Sequence, residues 1–192
     1  MIQPWTKLES VPLGDFKVFR IRKDLKRSPR TGRVHEFYVL DSVDWVNVVA
    51  LTPDRQVVLV EQYRHGSDSV ELEIPGGIMD PGDRSPVETA VRELREETGY
   101  TGQRPRVIGM VLPNAAILSN RTYTVLLEEC RRTHPVQFDQ GEDLVTRLVP
   151  VEEIPGLVAQ GKIRHCIVVA ALYHFELWQR GLKDPPNTTG PL

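Results

Sequence analysis

Long apolar runs are missing from this sequence. No stretch reaches the roughly 20 consecutive apolar residues that a helix needs to cross a bilayer. The N-terminal residues 1–5 show no basic segment leading into an apolar one, as a secretory signal would. A basic surplus is missing as well. The 24 Lys and Arg face 26 Asp and Glu, a formal net charge of −2, so nothing supports a nucleic-acid partner electrostatically. Cysteine is scarce. Cys130 and Cys166 lack metal-ligand spacing, and their apolar neighbours suggest two buried free thiols rather than a disulfide. Together these absences point to a cytoplasmic protein with no membrane and no nucleic-acid partner.

What is present suits a single soluble domain with a small extension. Hydrophobic residues make up 40% and charged residues 26% of 192, an ordinary globular mixture. A chain of this length buries about two thirds of its unfolded surface without staples. Strand signals dominate, at 16–21, 34–40, 46–51, 56–61, 70–74, 107–111, 122–127 and 144–149. In 70–74, Val70, Leu72 and Ile74 alternate with Glu71 and Glu73, which predicts a buried apolar face and an opposite acidic one. The basic stretch 23–33 carries Pro29 and Gly32 and reads as a turn or exposed loop.

Helices are fewer. One is expected over Pro86–Thr98, one in part over 151–160 with Pro155 limiting it, and one over 164–180. His165 and His174 of the last one read as structural. Many strands with a few inserted helices indicate an α+β fold with a mixed sheet, not a doubly wound chain. The tail from residue 183, rich in Pro, Gly and Thr, is expected to be disordered.

The chemistry concentrates on Pro86–Thr98. Ser85 stands at the N-cap, Pro86 at the first helical position and Glu88 three residues after the cap, the pattern of a capping box. Gly99 follows the last turn, where a left-handed residue closes a helix. Between these ends, Glu93, Glu96 and Glu97 fall at i, i+3 and i+4, on one face. Their mutual repulsion would be reversed by a hard divalent cation, for which all-oxygen ligation is suited. Arg92 and Arg95 supply counter-charge. Glu73-Ile74-Pro75-Gly76-Gly77 precedes the helix as a strand running into a double-glycine turn, where backbone can approach a ligand closely.

This segment resembles the Nudix box of the Nudix hydrolases, G-x5-E-x7-R-E-U-x-E-E-x-G-U with U apolar. Gly77 matches the first glycine, and Arg92, Glu93, Leu94, Glu96, Glu97, Gly99 and Tyr100 match the rest in order. Asp83 stands where the first Glu is expected, and eight residues rather than seven separate it from Arg92. The resemblance implies a Nudix-type α/β/α sandwich with a mixed sheet at 41–182, and an N-terminal antiparallel strand extension at 1–40 that builds a homodimer. It implies that Glu93, Glu96 and Glu97, with the Gly76 carbonyl, hold Mg²⁺ or Mn²⁺, and that Arg92 braces the glutamates.

Outside the box, the chain looks like the branch that hydrolyses ADP-ribose and nucleoside diphosphate sugars. Asp44–Val49 resembles a strand of that branch, and Glu61-Gln62-Tyr63-Arg64 its Q-Y-R segment, in which Arg64 would face the diphosphate. The stretch 113–121 resembles a P-N-P-A…N-R segment, with Ala115 and Tyr123 departing from the commoner Pro and His. It adds Asn120 to the expected substrate contacts, beside Arg64, Trp45 and Glu73. Trp45 has two open readings, a packed strand residue or a platform for a purine. In Gln140-Gly141-Glu142-Asp143, the branch's acidic loop makes Glu142 the expected general base, with Asp143 as its alternative. The implied reaction hydrolyses a diphosphate linkage to a nucleoside monophosphate and a sugar phosphate. Dinucleoside polyphosphates, oxidised nucleotides and a non-catalytic binding module are the other readings.

Overall fold

The computed structural model describes residues 1–138, 141 and 143–182. Glu142 and the tail from residue 183 lie outside the described residues. The chain divides into two units, one formed by Met1–Val43 with Leu112–Arg121, the other by Asp44–Val111 and the described residues from Thr122 onward.

The first unit is an antiparallel sheet of β1 (Thr6–Asp15), β2 (Arg20–Arg27) and β3 (Val34–Asp41), in that order. β1 is absent from the sequence expectations for a physical reason. Both its faces are largely exposed, so no hydropathy alternation marks it, and register shifts flank Pro12 and Lys7. The strand expected at 16–21 is instead mostly the turn that follows β1: the Phe16 amide donates to the Phe19 carbonyl (2.9 Å) and Lys17 has φ +68°. The loop expected at 23–33 is corrected too. Through Arg27 it is strand β2, whose Asp24 is fully buried and accepts from Ser10 Oγ (2.7 Å) and Arg22 Nε (3.1 Å). Ion pairing with neighbouring strands, which the local sequence does not display, turns this charged run into sheet. Leu112–Arg121 joins this unit by a parallel bridge from Leu118 to Leu40.

The second unit carries β4 (Trp45–Ala50), β5 (Gln56–Arg64), β6 (Ser69–Glu73), β7 (Gly76–Ile78), α1 (Pro86–Thr98), β8 (Tyr100–Val111), β9 (Thr122–Arg132), β10 (Leu144–Pro150), α2 (Ile154–Ala159) and α3 (Cys166–Gln179). One sheet runs β7-β4-β9-β8. It is mixed, because β4 and β9 are parallel while β7 and β8 pair antiparallel to their neighbours. The other runs β10-β5-β6 and is antiparallel throughout.

The two-residue period of the strands sorts their side chains into two cores. Val46, Val48 and Ala50 of β4, with Tyr123, Val125 and Leu127 of β9, pack on Ala90 and Leu94 of α1. Val49 and Leu126 point the other way and pack with Val168, Ala171, Leu172 and Phe175 of α3. The mixed sheet therefore lies between α1 and α3, the α/β/α arrangement expected, within an α+β fold. Among the described residues no helix is long and apolar enough to cross a membrane.

Three local expectations change. β8 begins at Tyr100, well before 107, directly after the helix-ending Gly99. Its Gly109 lies against the His174 ring, where a β-carbon would overlap the imidazole, and burial lowers the His174 pKa. The thiols differ from each other: Cys130 is buried, and that burial pushes its pKa up to about 12, whereas Cys166 is exposed at the start of α3. The segment 70–74 is covered on both faces. Ile74 is buried and Leu72 packs against the core as expected, but Val70 is 65% exposed, and Glu71 and Glu73 are only 5% and 2% exposed. Hydropathy misses the burial of the two acids because Arg164 and His165, which help make it tolerable, come from a distant segment.

Candidate active site

The site grows from the ends of α1. Ser85 is extended (φ −163°, ψ 158°) and its Oγ accepts from the Glu88 amide at 3.3 Å. The reciprocal half of the capping box is shifted by one residue. Glu88 Oε2 accepts from the Arg84 amide (2.8 Å), because the Arg84 guanidinium also grips that carboxylate. At the other end Gly99 takes φ +73° and its amide donates to the Arg95 carbonyl (2.9 Å). The helix is thus set in register by its own sequence, and that register fixes where the glutamates point.

Glu93 and Glu97 lie on the buried face of α1, 8% and 3% exposed, alongside Ala90 and Leu94. They meet β7. Glu97 Oε2 accepts from the Gly76 amide at 3.1 Å, and the Glu93 carboxylate occupies the space that a β-carbon on Gly77 would fill. The expected double-glycine turn is itself a short strand. Gly76 pairs with Asn47 and Gly77 with Val46, close enough that a β-carbon on Gly76 would overlap the Val46 carbonyl. Both glycines are required by approach rather than by φ.

Arg92 binds the acidic groups together. Its guanidinium lies 2.9 Å from Glu93, 3.2 Å from Glu96, 3.0 Å from Asp83 and 3.4 Å from Asp80, and it donates to the Ile78 carbonyl. Asp83 therefore reaches Arg92 despite the extra loop residue. Its carboxyl is held below the usual range, first by Arg92 and, against burial, by the Asp80 amide and Thr89. Glu96 is partly exposed and faces Arg92 and Arg95. Among the described residues no three acidic, histidine or cysteine side chains converge as a ready metal cage. The donor set nevertheless fits a hard cation. Asp80, Asp83, Glu93 and Glu96 gather on the Arg92 guanidinium and Glu97 lies against the Gly76 amide, a set of ligands that are all oxygen.

Beside Gly76 and Gly77 a cleft of about 560 Å³ opens, within the ordinary size of a small-molecule site. Trp45, Arg64, Glu73 and Gly76 line it, so the fold gathers four of the expected site residues. Arg64 makes a bidentate pair with Glu73 (Nε to Oε1 3.0 Å, Nη2 to Oε2 2.8 Å), and His165 Nδ1 lies 3.1 Å from Glu73 Oε2. Burial alone would raise the Glu73 pKa, but His165 and Arg64 outweigh it and hold the carboxyl at about 2. Trp45 begins β4, and its indole N–H is buried with no hydrogen-bond partner among the described residues.

Asn120 belongs to the first unit, is 2% exposed, and its amide donates to the Val43 carbonyl at 3.1 Å. Asp143 is exposed. Arg164 and Glu71, which the sequence does not mark as site residues, and His165, expected to be structural, also line the cleft. His165 caps α3 rather than lying on it. The available signal was the pair of acids at alternate positions of β6, set in a strand otherwise apolar.

Residues 42–170 match the family model described as NUDIX domain. The chain is 28% identical over 180 residues to the ADP-ribose pyrophosphatase of Mycobacterium tuberculosis, covering 93% of this chain and 86% of that one. It is 34% identical over 193 residues to the ADP-sugar pyrophosphatase of Mus musculus, covering 95% and 84%. The crystal structure of an ADP compounds hydrolase shares the fold, with a TM-score of 0.82 and 21% identity over 95% of this chain and 97% of that one.

Proposed function

The chain belongs to the Nudix family and is a Nudix hydrolase, and on that premise we propose that it hydrolyses the diphosphate linkage of ADP-ribose or a related nucleoside diphosphate sugar. The observation that carries this is the placement of buried Glu93 and Glu97 against the Gly76–Gly77 backbone at the edge of the cleft that holds Arg64. The names of its relatives, which act on ADP-ribose and ADP-sugars, support the substrate class.

In this proposal Glu93, Glu96 and Glu97, with the Gly76 carbonyl, hold Mg²⁺, or Mn²⁺ in its place. A divalent ion so held neutralises diphosphate charge and acidifies water. Arg92 keeps the three glutamates in place. Arg64, fixed by Glu73, offers guanidinium N–H groups to the phosphoryl oxygens. Glu142 takes the proton from the attacking water, with Asp143 as the alternative base. Water adds to one phosphorus and the bridging P–O bond breaks. For ADP-ribose the products are AMP and ribose 5-phosphate.

The test is a substrate panel with Mg²⁺, with products identified. ADP-ribose, other nucleoside diphosphate sugars, dinucleoside polyphosphates and oxidised nucleoside triphosphates are compared. Release of AMP and ribose 5-phosphate at the highest kcat/KM supports the proposal. Preference for a polyphosphate or an oxidised triphosphate removes the substrate assignment.

The first unit exposes Leu8, Leu13, Phe16, Val18 and Phe37, and this apolar surface supports a homodimer. Light scattering at micromolar protein is expected to give twice the chain mass of 21.8 kDa. A clear monomer would remove the homodimer.

A further inference from the structure

The two buried acids of β6 call for an explanation. Burying a carboxylate is costly unless it is paired and hydrogen-bonded. β6 buries two, at alternate positions on the same side. Each carries its own guanidinium. Glu73 holds Arg64 from β5, as described above. Glu71 holds Arg164, from the segment leading into α3, by Nε to Oε2 at 2.9 Å and Nη2 to Oε1 at 2.7 Å. Ser67 and Ser69 donate to the same carboxylate at 3.1 and 2.6 Å, and Arg164 Nη2 also donates to Ser69 Oγ at 3.0 Å. The Arg164 contact, then Ser69, hold the Glu71 carboxyl at about 2, so the pair is ionised throughout the working pH range.

The layering of charge is the same in both pairs. The carboxylate lies underneath and the guanidinium outside: Arg164 is 58% exposed over Glu71 at 7%, and Arg64 is 41% exposed over Glu73 at 2%. Glu71 and Glu73 line the cleft, but the more exposed charged groups along this wall are the two guanidiniums. His165, at the start of α3, lines the same cleft beside Glu73. A wall of oriented donors over hidden carboxylates suits a group rich in acceptor oxygens and poor in donors, which is a phosphoryl group rather than a sugar.

We infer that Arg164 is a second substrate-binding arginine, set beside Arg64 by the buried carboxylate of Glu71, and that the pair grips the phosphoryl oxygens of the diphosphate. This rests on the diphosphate substrate proposed above. Glu71 is then a positioning residue, acting through Arg164.

The experiment compares the wild-type chain with Arg164→Gln, Arg164→Lys and Glu71→Gln in two assays. One is calorimetry of inorganic pyrophosphate binding without added metal. The other is steady-state kinetics on ADP-ribose with Mg²⁺. Arg164→Gln is expected to weaken pyrophosphate binding about tenfold or more, the worth of one hydrogen-bonded charged contact. KM for ADP-ribose should rise by a similar factor, with most of the loss in KM rather than in kcat. Arg164→Lys, which keeps the charge but not the fork, should recover part of the loss, and Glu71→Gln should fall between. Unchanged pyrophosphate affinity and KM in Arg164→Gln, with only a lower melting temperature, would make the pair a structural strut and overturn the inference. So would a wild-type chain that binds no pyrophosphate. A wild type that binds pyrophosphate but leaves ADP-ribose intact would sink the substrate assignment alone, because the pyrophosphate arm still decides Arg164.

Discussion

Glu97→Gln is expected to lower kcat about a thousandfold, a loss of several kcal/mol of charge stabilisation at the reacting phosphate. The fold should survive it. Glu97 is 3% exposed, and its contact with the Gly76 amide needs only an acceptor oxygen, which glutamine retains. The melting temperature should therefore stay within about 4 °C, the shift that roughly 1 kcal/mol produces in a domain of this size. Glu93→Gln is expected to cost activity to a similar degree but stability as well. Its carboxylate lies 2.9 Å from the Arg92 guanidinium, and loss of one charge-assisted contact amounts to about 1–2 kcal/mol. The two variants thus separate ligand chemistry from scaffold. Kinetics with titrated Mg²⁺, alongside thermal melts, make the measurement. Near-normal turnover by a well-folded Glu97→Gln chain would remove Glu97 from metal binding.

What the sequence makes readable is what is local. Ser85, Pro86 and Gly99 bound α1 from within a few residues, so its limits and the i, i+3, i+4 spacing of its acids follow from neighbours alone. The apolar runs of β4 and β9 are equally local, and both strands stand where hydropathy puts them. The cleft wall is different. Arg164 meets Glu71 across 93 residues, and His165 meets Glu73 across 92. No window of the sequence contains both partners, so Glu71 and Glu73 read as a solvated acidic face and His165 as part of a helix. β2 fails for a related reason, since Ser10 of β1 and Glu36 of β3 hold its charged Asp24 and Lys23 from across the sheet. Asp83 shows the converse. A count of residues marks it as out of step, yet the loop path still brings it to Arg92 at 3.0 Å.

The neighbouring glycines separate stability from activity in a single pair of substitutions. Gly76→Ala places a methyl group on the Val46 carbonyl oxygen, which is backbone and cannot yield without breaking the β4–β7 pairing. It is expected to cost about 2–3 kcal/mol, typical of overpacking in a close-packed interior, and to lower the melting temperature by several degrees. Gly77→Ala places its methyl on the Glu93 carboxylate, the far end of a side chain that can rotate. The fold should lose at most about the 1–2 kcal/mol of the Arg92 contact, less than the backbone clash costs. The carboxylate cannot be displaced without moving from its place beside Arg92 and β7, and a shift of about 1 Å at a reacting centre can cost about a hundredfold in rate. Gly77→Ala should therefore melt closer to wild type than Gly76→Ala and turn over about a hundredfold more slowly, while Gly76→Ala should show the larger loss of stability. Thermal melts and kcat on the same preparations measure both quantities. If Gly77→Ala kept full activity, Glu93 would have no defined position to lose, and its assignment as a metal ligand would fall with it.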